Sequence, residues 1–315
     1  MTVAPALPLV SRPETAGVPY LTTGQFLNEA TGVQTDNLVP GGTPEQQTAA
    51  LASAILQASS WMDGVCWQVL GTTTDTEVAE VRARRDGWLE VFPRCFPIRG
   101  VTGVSLGSPA TDTGTWTALT DLSGLVVQTR RVVVGPPSSV MNWGWPVQFG
   151  PTGLRRTWWV QLTYVNGYPV TTLTAQANAA SVSLQVANGI GIAVGMPLTI
   201  SDGMNTETVT VSGLPGGALA LTASGPATLT VPPTIFQHGP GIGISNLPVR
   251  LVRAAILATS GLIRSARGTA AFVMPDSFGS QSVIKTEAPG GNDLADAMAI
   301  LVPEFRASTA VAGLL

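Results

Sequence analysis

The stretch TPEQQTAALASAILQASSWMDGVC, residues 43–66, decides what the rest of the chain has to pack against. Thr43 offers an N-cap oxygen, Pro44 suits the first helical position, and Gln46 completes a capping box. Leu51, Ile55, Ala58 and Met62 then recur at i, i+4, i+7 and i+11, a single apolar stripe. The pattern predicts a helix running to about Asp63 with one face that must be buried. Two later stretches carry matching faces. PVRLVRAAILATSGLIRSARG, residues 248–268, starts on Pro and stops on Gly. DLADAMAILVPEFR, residues 293–306, follows Asn292 as a cap. A shorter helix, QFLNEATG, is predicted after Thr22-Thr23-Gly24 and ends at Gly32.

Between these helices the period changes. WQVLGT, EVAEVRA, GWLEVFP, VTGVSLG, TWTALT, LVVQTRRVVVG and RTWWVQLTYV, spread over 67–168, are rich in Val, Thr and Trp. Gly, Pro and Asp separate them, so they read as an antiparallel sheet in need of a second layer. Residues 175–236 hold five short segments that alternate at period two (AASVSLQVANG, MPLTISDG, TETVTVSG, GALALTAS, ATLTVPP). They predict a small β-barrel or sandwich inserted before the 248–268 helix. The expected class is therefore α+β: a bundle of three or four helices, an antiparallel β region and an inserted β domain. The expected divisions are an extended Pro-rich arm at 1–19, a core made of 20–174 and 237–305, the insert at 175–236, and a tail at 306–315.

Composition narrows the function. Only 11% of the 315 residues are charged while 44% are hydrophobic. An ordinary soluble domain has about 25% charged residues. So neutral a surface predicts a chain that buries much of its outside against copies of itself or other partners. A net charge of −3 gives no global signal for nucleic acid. No stretch reaches the ~20 apolar residues of a membrane span and the N-terminus lacks the layout of a signal peptide, so a soluble protein made in a reducing cytoplasm is expected. Cys66 and Cys95 read as inert, part-buried thiols.

No enzymatic constellation holds together. His238 is the single histidine, in Gly-rich FQHGPGIG, and reads as a turn or interface residue. GPGIGIS lacks the Gly-Lys-Ser/Thr of a phosphate loop. Asp75, Glu77 and Glu80, or Asp293 and Asp296, have the chemistry to hold a cation, but the latter pair suits the first turn of a helix better. No catalytic residue, cofactor or metal is expected. Two features stand out instead. Arg250, Arg253, Arg264 and Arg267 fall within roughly 100° on the wheel of the 248–268 helix, with no acid beside them. That face is solvated, pairs with acids elsewhere in the chain, or meets DNA phosphates or an acidic surface of a neighbouring subunit. Trp158 and Trp159 are adjacent, so in a strand they point to opposite faces and one needs cover from outside the local core.

The order of these segments carries a resemblance. YLTTGQFLNEATG, the 43–66 helix, GWLEVFPRCFPIRGVTGV, WWVQLTYVNGYP and SNLPVRLVRAAILATSGLIRSARG together resemble the head–tail connector, or adaptor, proteins of long-tailed bacteriophages. In that family a strand ending in a motif like Tyr164-Val165-Asn166-Gly167-Tyr168 precedes a Pro-started helix. The insert, ending in FQHGPGIGISNLP, resembles a small β module that recurs in phage structural proteins. The chain departs from the simplest members in its extended 67–168 strands and its insert. The resemblance implies a virion protein at the head–tail junction, a ring homo-oligomer (usually a dodecamer) beneath the portal, with DNA passing through its lumen and neck, stopper or tail proteins attached. It implies that the C-terminal segment reaches the portal, which nominates Phe305, Val311, Leu314 and Leu315 as portal-binding. The four arginines would then line the lumen or a subunit interface. The alternative from the same residues is another neck or tail protein: a stopper, a tail terminator or a decoration protein.

Overall fold

The computed structural model describes residues 17–84, 88–107, 116–135, 157–214, 224–266 and 292–307. The fold is α+β, with four α-helices and several antiparallel sheets among these residues. Thr73–Gly167 forms one compact unit, and Thr15–Thr72 with Tyr168–Arg306 forms the other. The strand-rich stretch thus stands as a unit of its own, where the sequence suggested it would share a core with the helices. The physical reason is that its two sheets bury their apolar faces against each other.

In the helical unit, α1 (Thr23–Leu27) has a capping box from Thr22 and Gln25 and stops at Asn28, short of the expected Gly32. Helix α2 (Pro44–Cys66) has the Thr43–Gln46 capping box, and Leu51, Ile55, Ala58 and Met62 are all buried. It runs three residues past Asp63 because Val65 and Cys66 are buried too. Trp67 then closes it in the left-handed conformation, φ 59°. WQVLGT is accordingly no strand: this cap and a turn consume it, and Leu70 accepts the Tyr168 N–H at 2.8 Å. Helices α3 (Val249–Ala266) and α4 (Asp293–Phe305) complete the bundle. All four helices contribute to one core, including Phe26, Leu51, Ile55, Met62, Leu251, Ala258, Leu301 and Phe305. Gly261 lets α3 and α4 touch, since a Cβ there would lie 2.7 Å from Leu294 Cγ.

Two small sheets belong to the same unit. One has the order β11 (Glu207–Thr210), β10 (Pro197–Ser201), β13 (Gly243–Ser245), β8 (Val170–Thr172); the other pairs β12 (Ala227–Thr230) with β9 (Ser183–Val186). The period-two pattern places Leu184, Val186, Leu198, Ile200, Val209, Leu229 and Ile244 in one shared core. Strands β8 and β13 lie outside 175–236, so the module reaches further on both sides than its alternating segments. GALALTAS falls almost entirely outside the described residues.

In the other unit, β1 (Thr73–Arg82), β7 (Thr157–Asn166), β3 (Ile98–Gly107) and β4 (Trp116–Ala118) form one sheet in that order. Strands β2 (Leu89–Val91), β6 (Arg131–Val134) and β5 (Val126–Gln128) form the second. LVVQTRRVVVG splits into β5 and β6 because Thr129-Arg130 make a tight turn, with Gln128 opposite Arg131. Val160, Leu162 and Tyr164 point inward with Trp158, against Val132, Val134 and Val91. Trp159 takes the opposite face. There it lies across Gly107 from Trp116, which covers the space a Cβ at Gly107 would fill at 3.2 Å.

Candidate functional site

The arginine side of α3 is the sequence feature with the most chemistry, and α4 packs against it. The helices run antiparallel, so each end of α4 meets one arginine. Arg250 ion-pairs with Glu304 in the last turn of α4. Arg264 Nη1 sits 2.7 Å from Asp293 Oδ2 in the first turn, and its Nη2 donates to the Thr31 carbonyl at 2.9 Å. Burial pushes the Asp293 carboxyl up, against the lowering by Arg264, and the neighbouring Asp296 pushes it up further. Two of the four arginines therefore hold the bundle together within the chain. Arg253 is exposed and makes no ion pair among the described residues. Arg267 lies outside them.

Phe305, which the resemblance implies as portal-binding, is instead only 6% exposed and belongs to the helical core. Its ring meets Tyr168 edge-on at 6.4 Å, and its carbonyl accepts from Gln68 Nε2 at 2.5 Å. An apolar residue in the last turn of an amphipathic helix is a core position first. Val311, Leu314 and Leu315 lie outside the described residues.

Beside Phe305 the ends of three helices meet. Trp67, at the end of α2, is 48% exposed, and the Arg306 guanidinium lies 4.6 Å from its ring centroid. Val249, at the start of α3, is 84% exposed next to Arg250. This cluster was not legible in the sequence, because Trp67 read as the start of a strand.

A second group escaped the sequence reading. Between residues 169 and 246 the chain has no Lys, Arg, Cys or Tyr, and its ionisable side chains are Asp202, Glu207 and His238. All three converge. The His238 ring is fully buried, with Nδ1 3.2 Å from Asp202 Oδ2 and Nε2 2.7 Å from Glu207 Oε1. Burial raises the Glu207 carboxyl, but N–H groups of Ile235 and Phe236 and the His238 ring outweigh it and hold Glu207 below the usual range. The group ties the segment around His238 to the β10–β11 hairpin. Its burial suits a lock rather than a site open to substrate.

The remaining candidates are structural. Glu77 accepts from the Tyr164 hydroxyl at 2.5 Å and from the Arg94 N–H, and Asp75 accepts from Asn166 Nδ2 at 2.5 Å. These carboxylates satisfy strand ends and a loop. Both cysteines are buried and unpaired, and burial pushes each thiol up to about 12. Among the described residues, no group of His, Cys, Asp or Glu has the geometry to hold a metal ion, and no helix is long and apolar enough to cross a membrane. Compared with models of known protein families, with curated proteins and with solved structures, the chain finds no match.

Proposed function

We propose that this protein is a structural subunit of the head–tail adaptor ring of a tailed bacteriophage, without catalytic activity. The subunits form a ring, in the family usually a dodecamer, beneath the portal. DNA passes through the lumen without sequence-specific contacts, and stopper or tail proteins attach on the far side. The subunit is made in the host cytoplasm and resides at the head–tail junction.

The observation that carries this reading is the helical bundle. Helices at 44–66, 249–266 and 293–305 are far apart in sequence, yet they share one core. An adaptor built on the resembling segments requires this closure, whereas a mostly β decoration protein would leave those helices peripheral. The low charge content supports self-assembly, since a closed ring buries a flank on each side of every subunit. The burial of the single histidine between Asp202 and Glu207 supports a structural role for the β module.

Native mass spectrometry of the full chain, alone and mixed with the portal protein of the same virion, tests the proposal. A closed ring, formed in solution or only on the portal, is the expected result. A chain that stays monomeric in both conditions contradicts it, and a small oligomer that ignores the portal favours the decoration reading.

A further inference from the structure

At the end of the helical bundle, Val249 and Trp67 expose apolar surface that the helical core does not use. Val249 is the most exposed large apolar residue described, at 84%. Nothing in the packing of α3 requires it, because the buried side of that helix runs through Leu251, Ala254, Ala255 and Ala258. Trp67 is stranger. A left-handed φ at a helix end suits Gly or Asn, and a side chain with a Cβ costs roughly 1–2 kcal/mol there. The indole does not repay this by joining the helical core, from which it is absent. It stands half-exposed under the Arg306 guanidinium. A bulky residue kept in a strained conformation at the surface points from geometry to use.

The surroundings fit recognition. Gln68 binds the Phe305 carbonyl, and Arg250 pairs with Glu304, so the ends of α2, α3 and α4 are fixed to one another before any partner arrives. Such preorganisation lowers the entropic cost of docking. Trp and Arg are the residue types that dominate binding energy at protein interfaces. Among the described residues at this end of α3 and α4, Arg250, Arg253 and Arg306 stand with one acid, Glu304, so the patch is net cationic around an apolar centre.

We infer that this bundle end, formed by Trp67, Val249, Arg250, Arg253 and Arg306 around the last turn of α4, docks a protein partner. The partner's surface is apolar at its centre and rimmed with carboxylates. Two features favour protein over a nucleic-acid duplex: Val249 is covered productively only by apolar atoms, and the Glu304 carboxylate repels phosphate. The identity of the partner, the portal protein, rests on the adaptor reading above.

The test uses the full chain and purified portal rings of the same virion, with binding followed by biolayer interferometry. Trp67→Gly is the informative variant, because it removes the indole and relieves the left-handed strain. It is expected to unfold at the same or a higher temperature than the parent and to bind the portal at least thirtyfold more weakly, as at an interface hot spot. Arg306→Glu is expected to weaken binding comparably. Parent-like binding by both variants overturns the inference and leaves the adaptor reading standing. A Trp67→Gly chain that fails to fold also overturns it, since the indole is then structural. If the variants lose affinity for a 20-bp DNA duplex and keep it for the portal, the occupant is nucleic acid and the inference is wrong. A parent chain that ignores the portal altogether removes both the adaptor reading and the partner named here.

Discussion

Asp63 gives the helical unit a stability that falls as pH rises. The carboxyl is buried near the end of α2, where it accepts the Tyr20 hydroxyl and, at 2.9 Å, the Leu70 N–H. The Tyr20 oxygen in turn accepts the N–H groups of Leu70 and Gly71, so this pair ties the chain entering α1 to the chain leaving α2. Burial pushes the Asp63 carboxyl from 3.8 to about 6, over the lowering by its two donors. Protonation is therefore favoured by folding. The group's contribution is full below about pH 3.8 and is lost as pH rises through about 6. A difference of about 2 pH units corresponds to roughly 3 kcal/mol. Asp63→Asn keeps an oxygen for both donors and never ionises. Its unpaired N–H costs about 1–3 kcal/mol at every pH, so the change in its effect with pH is the quantity to read. Relative to the parent, the variant gains roughly 2–2.5 kcal/mol between pH 4 and pH 7.5. Hydrogen–deuterium exchange of the α2 amides, compared between the two chains at each pH, measures this without assuming that the two units unfold together. Protection differences that stay constant across the range refute the argument.

Three further outcomes follow from the packing. Gly261→Ala should destabilise the α3–α4 contact by about 1–3 kcal/mol despite the helix-forming advantage of Ala, because the new methyl meets Leu294; urea unfolding that moves to higher midpoint contradicts this. His238→Leu removes the ring partner of Glu207 and Asp202 and should cost about 1–3 kcal/mol, whereas an unchanged or raised midpoint in thermal unfolding would mean that the group does not hold the β module. Neither Cys66 nor Cys95 should react with a disulfide reagent at pH 8 until denaturant is added, and stoichiometric labelling of the native chain would show that their burial has been misjudged.

Local signals were legible where one helix or strand settled its own fate. The Thr43 cap and the spacing of Leu51, Ile55, Ala58 and Met62 placed α2, and period two placed the core of the β module. What the sequence hid was long-range. The arginines of α3 carried no sign of which partner they meet, because their acids, Asp293 and Glu304, lie 29 and 54 residues away. His238 meets Asp202 and Glu207 across 36 and 31 residues, so no local motif announced them. Trp67 misled through its type: a Trp beside Val and Leu suggests a strand, and only tertiary packing puts such a residue at a left-handed cap. Phe305 is the opposite case: the helical period of α4 makes it core, against the tail role that the resemblance implies.

An adaptor ring is defined by its place in the virion, and cryo-electron microscopy of the intact neck, at a resolution that separates helices, shows that place. The expected map has a ring of density directly beneath the portal into which α2, α3 and α4 fit as a bundle, with Trp67 and Val249 against the portal. Density for this chain on the capsid exterior, in the tail tube or at the tail tip would contradict it.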